Sequence, residues 1–385
     1  MKNQVKDGIV DVVEQFDYST QSESYNKEFV KWRRNKDNPY AYNFEANENE
    51  SVFIDGEGFV RKSGVRTEVD VCSKLIYLIG ASALVWIIIE NVLDKLFVQL
   101  LDIIGFNIHV TFFNSAVYGG KTEVALVVVF ATLLKLVMPL LIVNRALKMP
   151  NSLKYPGRLN EPAELFGAIS ATMIVCVITG LPAAFSYETK EIYSFFRSYN
   201  ADMSVWGQEE FLIYTFFDII IVSVLFELLF HGAIFSALRQ FGDYYAILIT
   251  SVIAGALTQD YKMMVATALI ASVSAIGRLR SGTIFTAIAV RITYKLYIFA
   301  LNLIETSSSE NMFLNRNFYM LSVFVVGVTL FTIVFFSKKR REKKSFALYN
   351  WYLPLKKRLL LPLKIVPYIS AIALSVLVAV MNVIL

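Results

Sequence analysis

The chain has little histidine, cysteine or charge. Its 385 residues include two histidines, His109 and His231, and two cysteines, Cys72 and Cys176. Two histidines are too few for a histidine-rich zinc site, and we expect neither a metal nor another cofactor. Cys72 precedes the first apolar run and Cys176 lies inside the third, so no disulfide framework is expected.

Charged residues make up only 18% of the chain, whereas 56% is hydrophobic and the mean hydropathy is +0.52. A soluble domain of this size would need a far more polar surface. Apolar runs long enough to cross about 30 Å of hydrocarbon recur along the sequence. They cover about 75–98, 122–145, 163–185, 211–238, 244–258, 262–277, 282–304, 317–337 and 361–385. The sequence therefore predicts an all-α polytopic membrane protein with about 8–9 transmembrane helices.

Two of these runs need comment. The first is ambiguous because Glu90, Asp94 and Lys95 interrupt it, so it is either one span or a short span followed by an interfacial stretch. The fifth and sixth are short enough to form a tight helical pair.

The polarity of the chain divides it into four parts. Residues 1–73 form a polar N-terminal cytosolic segment, 74–337 the membrane domain, 338–360 a basic cytosolic loop and 361–385 a C-terminal transmembrane helix. No secretory signal peptide is predicted, so the first span is expected to direct insertion. The N-terminal segment is too small to bury a core alone, although Ser51–Lys62 has the pattern of a hairpin. We expect it to be partly ordered by packing on the membrane domain or a partner, and a flexible tail is the alternative.

The loops indicate the orientation. If the spans alternate, every strongly basic loop falls on one side, which the positive-inside rule assigns to the cytoplasm. These loops hold Lys148, Lys154, Arg158, Arg239, Arg278, Arg280 and the block Lys338–Lys344. The prediction is a cytoplasmic N-terminus and an external C-terminus. We interpret the basic stretch 338–358 as a loop lying on anionic lipid, not as a nucleic-acid site.

Ionisable residues within the apolar runs mark a candidate site. Glu227 and His231 are one turn apart and share a helix face. Counting residues from the inner ends of their runs puts Glu227, Arg291, Lys295 and Thr258 at similar depths, about 14–21 Å from the inner surface. Buried charges are costly, so we expect Glu227 to pair with Arg291 or Lys295. The arrangement is either a polar intramembrane cavity or an ion-pair network that fixes helix register.

Three further ionisable residues, Glu90, Lys135 and Asp218, have no partner at matched spacing along the sequence. For these we favour snorkelling or local pairing over a functional role.

Three short segments resemble the motifs of a known family. Phe226-Glu-Leu-Leu-Phe-His-Gly232 is similar to Glu-Glu-x-x-x-Arg, which commonly ends Phe-Arg-Gly. Ala254-Gly-Ala-Leu-Thr258 aligns with Phe-x-x-x-His, and Arg291-Ile-Thr-Tyr-Lys295 aligns with His-x-x-x-Asn. The family is the CPBP family of CAAX proteases and bacteriocin-processing enzymes, also called Abi proteins, which are glutamic intramembrane proteases. The resemblance covers about residues 163–304 and implies a CPBP-like core in a bacterial cytoplasmic membrane protein.

The departures from these motifs bear on activity. In the family, the first Glu would activate water, and the His and Asn residues would orient it and stabilise the oxyanion. By position the first Glu is Phe226, the Arg is His231, the two His are Thr258 and Arg291, and the Asn is Lys295. Because losing several members of a catalytic group removes most of the rate, we expect a degenerate, non-proteolytic member.

Such a member would bind another integral membrane protein or a precursor peptide, with Arg291, Lys295 and Thr258 as candidate binding residues. Two alternatives remain open. One is an active CAAX- or leader-type intramembrane endopeptidase, in which Glu227 and His231 are the candidate catalytic residues and Arg291 is the oxyanion donor. The weaker alternative is a transporter that uses Glu227, Arg291 and Lys295, although no inverted repeat supports it.

Overall fold

The computed structural model describes most of the membrane-embedded chain. The described residues are 21–33, 35, 38–41, 51–54, 58–110, 117–184, 208–306, 311–336 and 353–384. Of the predicted parts, the basic stretch 337–352 and much of the N-terminal segment lie outside these ranges.

Helices dominate the described residues. Before the CPBP-like motifs come α1 (Glu23–Arg33), α2 (Lys62–Ile88), α3 (Asp94–Ile104), α4 (Lys121–Leu147), α5 (Asn151–Lys154) and α6 (Pro162–Ala184). The region of the motifs contains α7 (Gln208–Phe216), α8 (Ser223–Glu227), α9 (Phe235–Leu238), α10 (Asp243–Ala256), α11 (Tyr261–Ser281) and α12 (Ile284–Thr306). After it come α13 (Met312–Phe336), α14 (Leu355–Leu360) and α15 (Val366–Ile384).

Seven helical stretches of the described chain are long and apolar enough to cross a membrane. They are Glu68–Ile104, Lys121–Leu147, Pro162–Leu181, Glu209–Phe241, Met263–Ser281, Ile284–Ile304 and Met312–Phe336. An eighth crossing results if Leu355–Lys364 and Val366–Met381, which meet at a 74° bend, are taken as one broken span. The all-α polytopic class is confirmed, with seven or eight such spans against the predicted 8–9.

The first apolar run is one long helical unit. A π-helical turn, Ile89–Leu93, joins α2 to α3 without a break in the helix. Helix α2 begins at Lys62, so the boundary expected between residues 73 and 74 falls inside a helix. Glu90, which interrupts the apolar pattern, lies in the π turn.

The predicted tight helical pair is present. Helix α10 has 14 residues and is thus about 21 Å long, less than a full crossing. It packs along α11 after a short turn at 257–260. A methyl group added at Gly255 would lie 2.9 Å from the Cβ of Ala268, so the glycine is what lets the two helices approach. Gln259, in the turn, has a left-handed backbone with a φ of 51°.

Two small antiparallel hairpins accompany the bundle. Strands β1 (Ser51–Ile54) and β2 (Gly58–Arg61) pair as predicted for Ser51–Lys62, with Ser51 opposite Arg61. Strands β3 (Ile108–Val110) and β4 (Val117–Gly119) form the second hairpin, between α3 and α4.

The basic loops gather at one end of the bundle, which we name the basic end. It comprises the described segments at 147–158, 236–243, 278–284 and 353–358. Arg278 Nη2 donates to the carbonyl of Lys154 over 3.0 Å, and the Asn160 amide donates to the carbonyl of Ser281 over 3.0 Å. The loops that the charge pattern assigned to one side are therefore neighbours in space.

Helix α1 packs on the basic end. Its apolar face buries Tyr25, Phe29 and Trp32. The indole Nε1 of Trp32 and the Asn38 amide both donate to the carbonyl of Leu147, over 3.2 and 3.0 Å. These bonds satisfy an otherwise unpaired carbonyl at the end of α4, and they attach the N-terminal segment to the membrane domain.

Arg358 departs from the lipid-facing role expected for the stretch 338–358. Its guanidinium is 2% exposed and lies against Glu68, with Nη2 at 2.7 Å and Nε at 2.9 Å from Oε1. It also donates to the carbonyls of Phe241 and Leu353. Because desolvating an ion pair is costly, a buried pair persists only when such hydrogen bonds complete it. Arg358 thus docks α14 on the bundle, while its neighbours Lys356 and Lys357 are exposed.

Candidate functional site

The central helix of the site runs from Gln208 to Phe241 and contains two π-helical turns, Phe217–Val222 and Leu228–Ile234. We name it the motif helix. Each π turn holds a buried ionisable residue, Asp218 in the first and His231 in the second. Glu90, which is partly buried, lies in the π turn of the first crossing. Single π turns inside α-helices are frequent at functional sites.

Glu227 and His231 form a closed pair in the protein interior. His231 Nδ1 lies 2.5 Å from Glu227 Oε2, and the two side chains are 0% and 1% exposed. His231 Nε2 lies 2.8 Å from the carbonyl of Ala271 on α11. A carbonyl only accepts, so Nε2 carries a hydrogen. Two unprotonated atoms would repel each other at 2.5 Å, so a second hydrogen lies between Nδ1 and Oε2.

Phe226, which the motif resemblance aligns with the first Glu, is enclosed by other side chains. The guanidinium carbon of Arg291 lies 3.9 Å from the centre of its ring, at cation–π distance. Trp86 meets Phe226 edge-on, with ring centres 6.3 Å apart, and Phe230 lies 4.3 Å away. This position of the site is therefore aromatic and tightly packed.

The expected pairing of Glu227 with Arg291 or Lys295 is not what the structure has. Lys295 Nζ donates to both carboxylate oxygens of Asp218, over 2.9 and 2.8 Å. Arg291 acts on Glu227 and on Asp218 only through space. The prediction failed because residue counting gives depth along a helix but not the direction in which a side chain points. His231 provides the direct partner of Glu227.

Glu90 and Lys135, for which snorkelling or local pairing was favoured, form a buried cluster of long sequence separation. Lys135 Nζ lies 2.7 Å from Glu90 Oε1, and Gln259 Nε2 donates to Oε2 over 2.7 Å. Asn91 donates to Gln259 Oε1 over 2.7 Å, and the Trp86 indole donates to Glu90 Oε2 over 2.9 Å. Sequence reasoning missed Gln259 altogether. Its only signal was a polar residue in the turn between two short apolar runs.

Thr258 lies in the turn that follows α10, beside Gln259. Its hydroxyl donates to the carbonyl of Gly255 over 2.7 Å, which satisfies an acceptor at the helix end. No hydrogen bond or ion pair between Thr258 and Glu227, Arg291 or Lys295 is found within the described residues. A helix-end role thus accounts for the observed bond of this hydroxyl.

The basic end of the motif helix packs against Tyr155. A methyl group added at Gly232 would lie 2.5 Å from Tyr155 Cε1, so the motif glycine makes room for the ring. The Tyr155 hydroxyl and the Asn144 side chain exchange hydrogen bonds over 3.0 and 3.1 Å. Burial raises the pKa of Tyr155, and the Asn144 hydrogen bond partly opposes this effect. The phenol therefore stays protonated and available as a donor at neutral pH.

The residue types of the site do not suit a metal. Within the part of the chain that the structure describes, no three His, Cys, Asp or Glu side chains come close enough to hold an ion. The two carboxylates nearest the centre, Glu227 and Asp218, already have His231 and Lys295 as partners.

A comparison with family models gives one match to this region. Residues 208–297 match the family described as "Type II CAAX prenyl endopeptidase Rce1-like". Over these residues the chain is similar to an Rce1-like domain. This match confirms the resemblance to the CPBP and CAAX protease family, and the matched residues include all three motif segments. No curated protein and no solved structure matches the chain.

Phe226 and Glu227 are the last two residues of α8, within the matched region. Phe226 has no acid–base chemistry, and Glu227 is bound to His231 and shielded from solvent. A small cavity of about 10 Å³, near Phe230 and Trp86, is lined mainly by apolar side chains such as Ile79 and Leu229. That volume is about the minimum for one water, and a water also needs several polar partners.

Proposed function

We propose that this integral membrane protein of the CAAX protease family is a non-proteolytic member that binds a membrane partner or a precursor peptide. The observation that carries the proposal is the packing of Phe226 against Arg291 at the position of the family's first Glu. An aromatic ring cannot take a proton from water, and a guanidinium packs directly on the face of this ring.

The burial of Glu227 supports the same proposal. A general base must reach the water that it activates and must be able to accept its proton. The Oε2 oxygen of Glu227 already shares a hydrogen with His231, and Oε1 is buried without a hydrogen-bond partner among the described residues. Neither oxygen is placed to work on a peptide bond that enters from the lipid or from water.

The alternative of an active endopeptidase rests on one observation, the direct contact between Glu227 and His231. A carboxylate and an imidazole at 2.5 Å resemble an acid–base dyad. Its activity would require the bundle to open, since both side chains are shielded and His231 Nε2 is held by the Ala271 carbonyl. No comparable contact among the described residues supports the transporter alternative.

A cleavage assay with purified full-length protein in lipid nanodiscs tests the proposal. The wild type and Glu227→Gln would be incubated with a farnesylated peptide substrate, and an active CAAX protease would serve as the positive control. Gln matches Glu in shape, so this substitution removes the carboxylate while it preserves packing. We expect no product from either protein, and we expect a stoichiometric partner to co-purify with both. Cleavage by the wild type that disappears in Glu227→Gln would refute the proposal.

A further inference from the structure

Two pairs of opposite charges lie in the middle of the bundle. Lys295 faces Asp218 at 2.8 Å, and Lys135 faces Glu90 at 2.7 Å. Each of these pairs joins one cation to one anion and is neutral. Among the described residues that surround these pairs, the other groups able to carry a charge at neutral pH are Glu227, His231 and Arg291.

Glu227 and His231 are also neutral as a pair. His231 Nε2 carries a hydrogen for the Ala271 carbonyl, and one more hydrogen lies between Nδ1 and Oε2. The pair is therefore either a carboxylate with an imidazolium or a carboxylic acid with an imidazole, and both forms sum to zero. Glu227 has no net negative charge left to offset a second cation.

This count leaves the positive charge of Arg291 uncompensated. The side chain is 7% exposed, and its Nε and Nη1 atoms are buried without an acceptor among the described residues. Phe226 and Tyr294 present their rings to it at 3.9 and 5.6 Å. Aromatic faces stabilise a desolvated cation only in part, and a lone guanidinium inside a membrane is costly.

We propose that Arg291 is the receptor for a carboxylate carried by a membrane-embedded peptide ligand. The inference rests on the proposed function and deepens it, because it assigns the chemistry that the partner presents to the former catalytic position. A guanidinium binds carboxylates through planar, charge-assisted hydrogen bonds, and two of its donor atoms have no acceptor in the described protein.

The depth of Arg291 favours a peptide carboxylate over a lipid phosphate. Arg291 lies seven residues beyond Ile284, where α12 begins, and thus about 10 Å along the helix axis. Lipid phosphates lie in the headgroup layer outside the hydrocarbon, whereas a side-chain or C-terminal carboxylate of an inserted peptide can reach this level. Binding such a group would neutralise the charge of Arg291.

A binding assay with defined probes tests the assignment. The probes are N-acetyl-tetraleucine with a free C-terminal carboxylate, the same peptide as its C-terminal amide, and dodecyl phosphate. Each is titrated against full-length protein in zwitterionic nanodiscs, and affinity is measured from the shift in thermal unfolding. The variants are Arg291→Leu and Arg291→Gln, which remove the charge, and Arg291→Lys, which keeps it. Lys356→Gln is the control for binding to an exposed cation.

We expect the wild type to bind the acid at least tenfold more tightly than the amide. This preference should vanish in both neutral variants, persist in weakened form in Arg291→Lys, and remain unchanged in Lys356→Gln. Three results would overturn the inference: no preference in the wild type, a preference that survives in Arg291→Leu, or an Arg291-dependent preference for dodecyl phosphate. Loss of fold in both neutral variants would also overturn it, because the guanidinium would then stabilise the bundle itself. Glu227-dependent cleavage of a peptide would refute the proposed function and leave the Arg291 assignment standing.

Discussion

Lys295 and Arg291 lie one turn apart on the same helix, yet only the removal of Lys295 should lower the free energy of unfolding. Lys295 is bound to both oxygens of Asp218, and the two side chains are 17% and 7% exposed. Lys295→Met leaves the carboxylate of Asp218 buried without its cation. Breaking a buried ion pair from one side costs about 3–5 kcal/mol.

Arg291→Met should cost little or nothing. The substitution gives up the cation–π contact with Phe226, worth about 2 kcal/mol when desolvated. It also removes a buried charge that has no direct counter-ion among the described residues, and the desolvation penalty for such a charge is several kcal/mol. We therefore expect the free energy of unfolding to stay the same or to rise.

The two variants can be compared by equilibrium unfolding of the purified protein in mixed micelles, with Asp218→Asn/Lys295→Met as the matched control. Most of the loss in Lys295→Met should be recovered in this double variant, because the orphaned charge has gone. If Arg291→Met proves as destabilising as Lys295→Met, then Arg291 has a counter-ion in the folded protein and the count of charges in the middle of the bundle is wrong.

Two further predictions concern packing at the basic end. Gly232→Ala should lower the free energy of unfolding, measured by chemical unfolding, by about 1–3 kcal/mol, because the new methyl group meets the Tyr155 ring at 2.5 Å. Gly157→Ala is the control, because the atom nearest to its new methyl group is 3.8 Å away. It should change the free energy of unfolding by less than about 0.5 kcal/mol in the same assay. Arg358→Leu should lower the free energy of unfolding by about 3–5 kcal/mol, because Glu68 is left buried without its cation. It should also speed amide hydrogen exchange in α14. Slow exchange in that variant would show that α14 docks by other contacts.

The sequence was sufficient to predict the fold class. In lipid, a long apolar run can pair its backbone N–H and C=O groups within itself only as a helix. Composition and run length therefore determined the predicted fold class. The four-residue spacing placed Glu227 and His231 on one helix face, and the structure adds the direct contact between them. The tight pair α10 and α11 followed from two short runs in succession, and the structure adds the reason, a close approach at Gly255.

The partners across the bundle could not be predicted in the same way. Asp218 lies in the π turn at 217–222 and Glu227 lies beyond it, so the wider turn changes the angle between the two side chains around the motif helix. No residue pattern in the sequence indicated this turn. The contact between Glu90 and Gln259 joins residues far apart in the sequence, so only the packed bundle reveals it.

The buried position of Arg358 could not be predicted from its own segment either. A basic stretch after a span is usually a solvated or lipid-facing loop, and its neighbours Lys356 and Lys357 are exposed. Arg358 differs because Glu68, far away in the sequence, is buried at the same end of the bundle. The identity of one distant residue changes the role of one arginine within an otherwise ordinary basic segment.

The central claim is that the centre of the Rce1-like domain is closed to water, and histidine NMR tests it most directly. The chain has two histidines, of which His109 is 61% exposed and His231 is fully buried. Protein labelled with ¹⁵N at its histidine rings gives one set of signals for each. After transfer to D₂O we expect the His109 ring hydrogens to exchange at once and the His231 Nε2 hydrogen to persist. Rapid exchange at both histidines would show that water reaches Glu227, and the hydrolytic alternative would then be favoured.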